Sequence, residues 1–380
     1  VRAGERVAIC EQLEDPKTVK GNQIVKRGVI ELVTPGVVLG DNILPNKENS
    51  FLAAIYFGSK ETGVAFLDVS TGEFFTAEGD DKYIDKLMSS FAPKEVLYQR
   101  GYEDRFESAF GNRYYTYRLE EWVFSADINY DKLCKQFGTT TLKGFGIEKL
   151  RSGIAAAGAI LYYLEFTEHR QVGHINSISR IDKNEFVWID KFTIRNLELF
   201  SSNGSQDKCS FADVIDRTLT SMGGRLLKRW IAMPLLDVER IRERQDVVEY
   251  LTREADFAAA LRETIAQIGD LERLSSRIAT GRILPRELVQ LKNSLSAAET
   301  LKALLESTDE DRLHAIAEKL NPLTEVRDRL AREIYPDPAN NNILKGGIIQ
   351  RGSGGESATA LRCNAQRESF GFVGQGIATV

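Results

Sequence analysis

The segment LDVSTGEF, residues 67–74, contains the residue types that point most directly to chemistry. Asp68 ends an apolar run, and Ser70, Thr71 and Gly72 lead into the next one. This arrangement suits a two-metal nuclease of the ribonuclease H type, in which several carboxylates hold the metals, or a phosphate-binding loop of the actin or sugar-kinase type. The nuclease needs further carboxylates in register at strand ends, and the kinase needs a second glycine-rich loop. The sequence supplies neither, which favours Asp68, Ser70 and Thr71 as the cap of a hairpin turn.

Other catalytic and cofactor-binding motifs are missing from the sequence. No G-x-x-x-x-G-K-[ST] segment occurs that could cradle nucleotide phosphates. The three glycines of GFVGQG, residues 371–376, lack the spacing and the strand–helix context of a dinucleotide loop. No serine or cysteine lies in a nucleophile elbow. We therefore expect no catalytic, cofactor-binding or metal-binding residue in this chain.

The imidazoles and thiols are scattered along the chain. His169 and His174 lie on either side of the end of a predicted helix, without a carboxylate at ligand spacing, and are predicted to be surface residues. The cysteines are too far apart for a zinc site or a disulfide framework. They are predicted to be buried or idle thiols in a reducing cytoplasm. These cysteines are Cys10, Cys134, Cys209 and Cys363.

Basic residues in a polar, loop-like segment are the candidates for contact with a nucleic-acid backbone. Lys17, Lys20, Lys26 and Arg27 lie in EDPKTVKGNQIVKRG, residues 14–28. Side chains of this kind contact phosphates without reading sequence. The formal net charge of −5 argues against an autonomous nucleic-acid binder, although a local basic patch is compatible with an acidic total.

A second basic cluster, Arg225, Lys228 and Arg229, alternates with apolar residues including Leu226 and Trp230. One interpretation is contact with phosphates. The other, which the pattern favours, is the solvated edge of a helix whose apolar face, with Trp230, belongs to the core.

The surrounding pattern predicts two kinds of structure. Residues 1–40 alternate polar and apolar positions as two short strands would. Residues 51–78 contain three apolar runs separated by turn signals, which predicts three consecutive antiparallel strands. Helices and strands then alternate, which predicts a mixed α/β sheet covered by helices. The predicted helices are 80–91, 102–110, 127–137 and 147–169, and the predicted strands are 94–99 and 114–119. The last helix is apolar nearly all round and is expected to be buried.

From about residue 190 the strand signals stop and an all-α bundle is predicted. Apolar residues recur at steps of three and four over 211–233, which predicts one amphipathic helix. Pro234 is expected to mark its end, Asp237 to cap the next helix, and Pro285 to occupy a first helical turn.

Several of these segments together resemble the MutS family of DNA mismatch repair proteins. The segments are VAICEQLEDP, VKRGVIELVTPGVV, FLAAIYF, GVAFLDVSTGEF, TIRNLELF, VIDRTLTSMGGRLLKRWIAMPLLDVERIRERQ and IGDLERLSSRIATGRILPRELVQLK, within residues 4–350. The most specific of them contains a structural signature of the helical core. Its residues are Gly223, Arg225, Leu226, Lys228, Arg229, Trp230 and Pro234.

The resemblance implies a domain organisation. Residues 1–40 correspond to the end of a mismatch-binding domain, 45–170 to a connector of ribonuclease H-like topology without nuclease carboxylates, and 185–350 to a helical core, or lever, domain. Residues 352–380 form an atypical Gly/Ser-rich tail, of the kind that a frameshift would produce. The mismatch-reading Phe-x-Glu motif is expected upstream of Val1 and the ATPase beyond residue 380. No catalytic or mismatch-contacting residue can therefore be carried over.

The resemblance also implies a role. The whole protein is expected to be a cytoplasmic homodimer that recognises mismatched double-stranded DNA and uses ATP and Mg²⁺. This chain, without cofactor and expected as a monomer, would be the scaffold between the DNA-reading and ATP-hydrolysing parts and would dock a MutL-type partner. Two alternatives remain: a metal-dependent ribonuclease H-like nuclease built around Asp68, and an inert truncation product.

Overall fold

A computed structural model describes residues 5–13, 25–38, 44–169, 171–201, 209–338 and 348–350. Contacts between residues divide the chain into two units. The first, here called the sheet unit, contains residues 1–45 and 49–181. The second, the helical unit, contains residues 182–380 together with the short segment Asn46–Glu48. The tail predicted at 352–380 lies outside the described residues.

The sheet unit begins with an antiparallel pair of strands, β1 (Val7–Gln12) and β2 (Arg27–Val33). A six-stranded sheet follows, in the order β7-β6-β3-β4-β5-β8. Its strands are β3 (Phe51–Phe57), β4 (Thr62–Asp68), β5 (Glu73–Gly79), β6 (Glu95–Gln99), β7 (Thr116–Leu119) and β8 (Ser179–Arg180). β3, β4 and β5 are antiparallel neighbours, whereas β6 and β7 are added in parallel beside β3. The predicted meander and mixed sheet are confirmed, and among the strands of the described residues the two-residue β8 alone was not predicted.

The described part of the sheet unit contains four α-helices: α1 (Asp81–Phe91), α2 (Glu103–Phe110), α3 (Ala126–Phe137) and α4 (Arg151–Phe166). Eleven of the sixteen residues of α4 are buried, against β3, β4, β5 and α3, so the predicted burial of this helix is confirmed. The helix approaches β4 very closely. A Cβ atom on Gly63 would lie 2.0 Å from the carbonyl oxygen of Ser152, so this strand position requires glycine.

The helical unit contains nine described helices. They are α5 (Lys191–Asn196), α6 (Phe211–Ile215), α7 (Ser221–Ala232), α8 (Val238–Arg253), α9 (Ala255–Ile265), α10 (Leu271–Ala279), α11 (Pro285–Glu306), α12 (Asp311–Lys319) and α13 (Thr324–Glu333). The long helix α11 supplies leucines to two apolar clusters, one with α10 and α13 and one with α12. Asp237 caps α8, and Pro285 opens α11, as predicted. No helix in the described part of the chain is long and apolar enough to cross a membrane.

The single amphipathic helix predicted over 211–233 is wrong, because the structure breaks it between α6 and α7. The Asp216 carboxylate accepts hydrogen bonds from the Thr218 backbone N–H at 2.9 Å and its hydroxyl at 2.6 Å. Such local side-chain bonds compete with helical ones. The helix restarts when the Thr220 hydroxyl accepts from the Gly223 N–H. Since the break changes the helical phase, Leu219 is half exposed and does not join a core.

Candidate functional site

Asp68, the residue with the strongest chemical signal, is completely buried at the end of β4. Its Oδ1 accepts hydrogen bonds from the Ser70 N–H at 2.9 Å and from the Ser70 hydroxyl at 2.7 Å. Its Oδ2 accepts from the Ser50 N–H at 3.0 Å and from the Asn49 amide at 2.9 Å. Backbone bonds from Thr71 and Gly72 to the Asp68 carbonyl close the turn. The predicted role as a hairpin cap is confirmed, and four donors saturate the carboxylate.

The neighbouring carboxylates are occupied in the same way. The Asn49 amide also donates to Glu73 Oε2 at 2.7 Å. Glu95, on β6, is completely buried and accepts hydrogen bonds from the Gly36 N–H at 3.1 Å and the Tyr163 hydroxyl at 2.9 Å, and another from the Thr34 hydroxyl. Within the described ranges, no group of three or more His, Cys, Asp or Glu side chains could hold a metal ion.

The two histidines were predicted at the surface, and this is wrong because both are buried. His169 lies 3.0 Å from Glu31 Oε1 through Nε2 and 3.0 Å from the Thr167 hydroxyl through Nδ1. His174 donates from Nε2 to the Val69 carbonyl at 2.7 Å. Burial lowers the pKa of His174 to about 4, so this imidazole is neutral at pH 7. The sequence did not indicate these contacts, because Glu31 is far from His169 along the chain and Val69 is far from His174.

Two of the four basic candidates for DNA contact lie in the described part of the chain. Lys26 and Arg27 are exposed at the start of β2, where Arg27 pairs with Gln12 of β1. The carbonyl of Lys26 accepts a hydrogen bond from the Leu13 N–H at 2.8 Å. Lys17 and Lys20 lie outside the described residues. The structure therefore gives two accessible basic side chains at this strand end, and their contact with DNA stays a prediction.

Arg225, on α7, is the most elaborately bound side chain of the family signature. It is only 2% exposed. Both Nη atoms donate to the two oxygens of Asp270, at 2.7 and 2.8 Å. Nε and Nη2 donate to Glu272 at 3.2 and 2.6 Å, and Nη1 donates to the Asn46 carbonyl at 3.0 Å. All five N–H groups of the guanidinium are thereby used.

The electrostatics keep this buried arginine charged. Burial alone would lower the pKa of Arg225, but the hydrogen bonds and charges of Asp270 and Glu272 outweigh it and raise the pKa above its usual value. The predictions of a solvated edge and of phosphate contact are therefore both wrong for Arg225. A side chain whose donors are all used inside the protein has none left for a phosphate.

The segment Asn46–Glu48, which the contacts group with the helical unit, also lies against α7 through Lys228 and Gly224. Lys228 pairs with the Glu48 carboxylate at 2.9 Å, and Lys47 donates to Asp216 Oδ1 at 3.0 Å. Lys47 also lies against the helix: a Cβ atom on Gly224 would be 2.7 Å from its Cγ. Lys228 and Gly224 therefore help α7 to hold this segment.

Trp230 was predicted in the core, and this is wrong. It is 41% exposed, and the guanidinium carbon of Arg244 lies 3.5 Å from its ring centroid. Arg229 and Leu226 are half-buried, and the Pro234 carbonyl accepts from the Val187 N–H at 2.7 Å. The face of α7 that is buried is thus the one carrying Arg225.

Sequence reasoning missed the residues that complete this site, Asp270, Glu272 and Asn46. The only available signal was the segment DLER, in which Asp270 caps α10 by accepting from the Arg273 N–H. Nothing in the spacing indicates that this cap also binds an arginine on another helix.

Three family models match the chain in sequence order. MutS domain I matches residues 1–42, MutS domain II residues 50–176, and MutS domain III residues 192–369. The last match extends beyond Gly352, where the atypical tail was predicted to begin. The modular order of a mismatch repair protein is therefore present over most of the chain.

Proteins named DNA mismatch repair protein MutS are similar to nearly the whole chain. The protein from Phocaeicola vulgatus is 52% identical over 356 residues, which cover 94% of this chain and 40% of the relative. The protein from Bacteroides fragilis is 51% identical over 93% of this chain and 40% of its own length. The protein from Cytophaga hutchinsonii is 48% identical over 94% and 41%.

The chain belongs to the MutS family of DNA mismatch repair proteins. It spans about 40% of the length of the curated relatives that it matches.

Proposed function

We propose that this chain is the scaffold of a MutS-type mismatch-recognition protein, and that it links the DNA-reading part to the ATP-using part without chemistry of its own. The observation that carries the proposal is the saturation of Asp68 by Ser50, Asn49 and Ser70. A nuclease carboxylate must offer lone pairs to metal ions. Here the Asp68 carboxylate stabilises a turn and has no lone pair left for a metal ion, which supports a structural rather than a catalytic role for the sheet.

The domain roles follow from the family and from the topology. We propose residues 45–170 as a connector of ribonuclease H-like topology, and three antiparallel strands with two parallel strands added beside the first support this. We propose 185–350 as the helical core, or lever, 1–40 as the end of the mismatch-binding domain, and 352–380 as an atypical tail. ATP, Mg²⁺ and a homodimer belong to the whole protein in this proposal.

The partner that we propose is a MutL-type protein, docked on the connector. Family membership and a self-contained sheet unit with its own apolar core support the proposal. An inert product without a partner is the alternative, and direct binding separates the two.

Contact with DNA in this proposal is limited to the phosphate backbone, through Lys17, Lys20, Lys26 and Arg27. The exposure of Lys26 and Arg27 supports it. Such contacts are blind to sequence and weaken steeply with salt, with dissociation constants of about 10⁻⁴–10⁻⁶ M. Titration of matched and mismatched duplexes at two salt concentrations tests this. We expect equal affinities and a steep salt dependence, and a mismatch preference above about threefold would contradict the proposal.

The scaffold role is tested by looking for nuclease chemistry directly. The full chain is incubated with single-stranded and duplex DNA and RNA in Mg²⁺ or Mn²⁺, beside the variant Asp68→Asn, which keeps the shape of the side chain. We expect no cleavage by either protein. Metal-dependent cleavage that Asp68→Asn abolishes would establish the nuclease and refute the scaffold proposal.

A further inference from the structure

The strand β7 lies at one edge of the six-stranded sheet. Among the described residues, β7 pairs with β6 alone. The ladder uses the carbonyls of Tyr115 and Leu119, which accept from the Val96 and Arg100 N–H groups at 2.8 Å. Since alternate residues of a parallel strand bond to the same neighbour, the backbone groups of Thr116 and Arg118 point to the outer edge.

An open pocket of about 330 Å³ lies over this edge. Its lining residues come from both faces of β7 and from two neighbouring segments. They are Arg6, Arg100, Tyr115, Thr116, Tyr117 and Arg118. Because successive side chains of a strand point to opposite faces, a pocket lined by Thr116, Tyr117 and Arg118 together spans the strand edge itself.

The pocket combines three guanidinium groups with two tyrosine rings. The guanidinium of Arg6 lies 4.1 Å from the Tyr117 ring centroid. The side chains of Arg100 and Arg118 are 65% and 57% exposed and pair with Glu120 and Glu103. Exposed pairs of this kind contribute little and exchange readily for another carboxylate. Arginine and tyrosine are also the residues enriched in binding hot spots.

We propose that this pocket binds an extended acidic segment of a partner protein, which adds a strand to the outer edge of β7. The outward N–H and C=O groups of Thr116 and Arg118 would pair with the backbone of the segment, as in other cases of strand addition. Arg100 and Arg118 would bind its carboxylates through charge-assisted hydrogen bonds, whereas Arg6 is already paired with Glu95. The outward N–H and C=O groups of a strand edge match another peptide backbone, which favours a peptide over a nucleic acid. The inference is independent of which protein the partner is.

The test uses the full chain and a fluorescein-labelled peptide of about seven residues, mostly glutamate, long enough to cover a short strand. Two other probes are measured beside it by fluorescence anisotropy. One is the same peptide with N-methyl groups on alternate residues, which keeps the charge but cannot form a strand ladder. The other is a single-stranded oligothymidylate, which has negative charge without a peptide backbone.

The variant Arg100→Gln/Arg118→Gln removes both exposed charges. Its matched control is Arg151→Gln, which removes an arginine that is 73% exposed and paired with Asp127 outside the pocket. Both proteins should melt within about 2 °C of the unchanged chain, because exposed ion pairs add little stability.

We expect the double variant to bind the acidic peptide more than about tenfold more weakly, since two charge-assisted hydrogen bonds are lost. Arg151→Gln should leave the affinity unchanged, and N-methylation should weaken binding by a similar factor. Three results would overturn the proposal: no binding of the peptide, equal binding of the N-methylated peptide, or tighter binding of the oligothymidylate that depends on the same arginines.

Discussion

The helices α4 and α7 show two different ways of holding a helix in a fold. α4 buries eleven of its sixteen residues, and none of these is charged. α7 buries only Gly224, Arg225 and Ala232, and leaves Trp230 at the surface. Apolar burial, at about 25 cal/mol per Å², stabilises the first helix. In the second, the most extensive buried contacts are those of one arginine whose five donors are all satisfied.

Two buried ionisable groups, one in each unit, differ in whether they stay charged. His174, in the sheet unit, has a backbone carbonyl as its partner and stays neutral, because burial lowers its pKa to about 4. Arg225, in the helical unit, has two carboxylates and stays charged. Of these two groups, the one that stays charged is the one that has opposite charges beside it.

The largest effect is expected from Arg225→Met. The change removes the charge but keeps much of the volume, and it leaves Asp270 and Glu272 without their cation. Removing one partner of a buried ion pair costs about 3–5 kcal/mol. Urea denaturation of the full chain should show this loss in the free energy of unfolding.

The matched control is Arg151→Met, on α4, where the arginine is exposed and paired only with Asp127. Its cost should be below about 1 kcal/mol. Equal stability of Arg225→Met and the unchanged chain would show that α7 is not held by its arginine.

The second effect is a pH dependence that His174 brings to the sheet unit. Its folded pKa of about 4 lies below the ordinary value of 6.5. The stabilisation is therefore complete above pH 6.5 and is lost as the pH falls from 6.5 to 4, by up to about 3 kcal/mol.

The measurement is the free energy of unfolding at several pH values between 7 and 4. The control is His174→Gln, whose amide can still donate to the Val69 carbonyl but does not titrate. The pH dependence of this variant should be smaller than that of the unchanged chain. Identical pH profiles would mean that His174 titrates as it does in water.

The third test compares one glycine from each helix. A Cβ atom on Gly158 of α4 would lie 2.1 Å from Cγ of Asn129, whose amide bonds two buried carbonyls. Overpacking of this kind makes Gly158→Ala cost about 2 kcal/mol.

On α7 the corresponding change is Gly223→Ala, where the nearest atom would be the Thr220 hydroxyl at 3.1 Å. The gain in helix propensity offsets this contact, and stability should change by less than about 1 kcal/mol. Thermal melts of both variants and of the unchanged chain measure these two changes in stability. A similar loss at both positions would remove the contrast between the two helices.

The smallest effect is expected from Trp230→Ala. A buried tryptophan would cost about 3–5 kcal/mol. At 41% exposure, with a contact to Arg244, the cost should be about 1 kcal/mol. Chemical denaturation measures the change in the free energy of unfolding. A loss above about 3 kcal/mol would show that Trp230 is buried in a core after all.

The sequence predicted much of the sheet unit because its signals are local. The alternating runs at β3, β4 and β5 and the all-round apolar α4 specify their own burial. On α7 the pattern contained the right residues but not their orientation. Which face of α7 is buried depends on its contacts with Asp270 and Glu272. These residues are far from Arg225 along the chain, so the spacing of residues within α7 does not predict the contacts. His169 was mispredicted for the same reason, since its partner Glu31 lies on β2.

We propose that this chain is a docking scaffold, and direct binding to a purified MutL-type protein tests this proposal most directly. Isothermal titration calorimetry with the full 380-residue chain gives the affinity and the stoichiometry without a label. We expect a saturable interaction with a dissociation constant of about 1 μM or tighter, which corresponds to a binding free energy of about −8 kcal/mol. Absence of binding by a folded chain, shown by its cooperative melt, would contradict the scaffold role and leave an inert product.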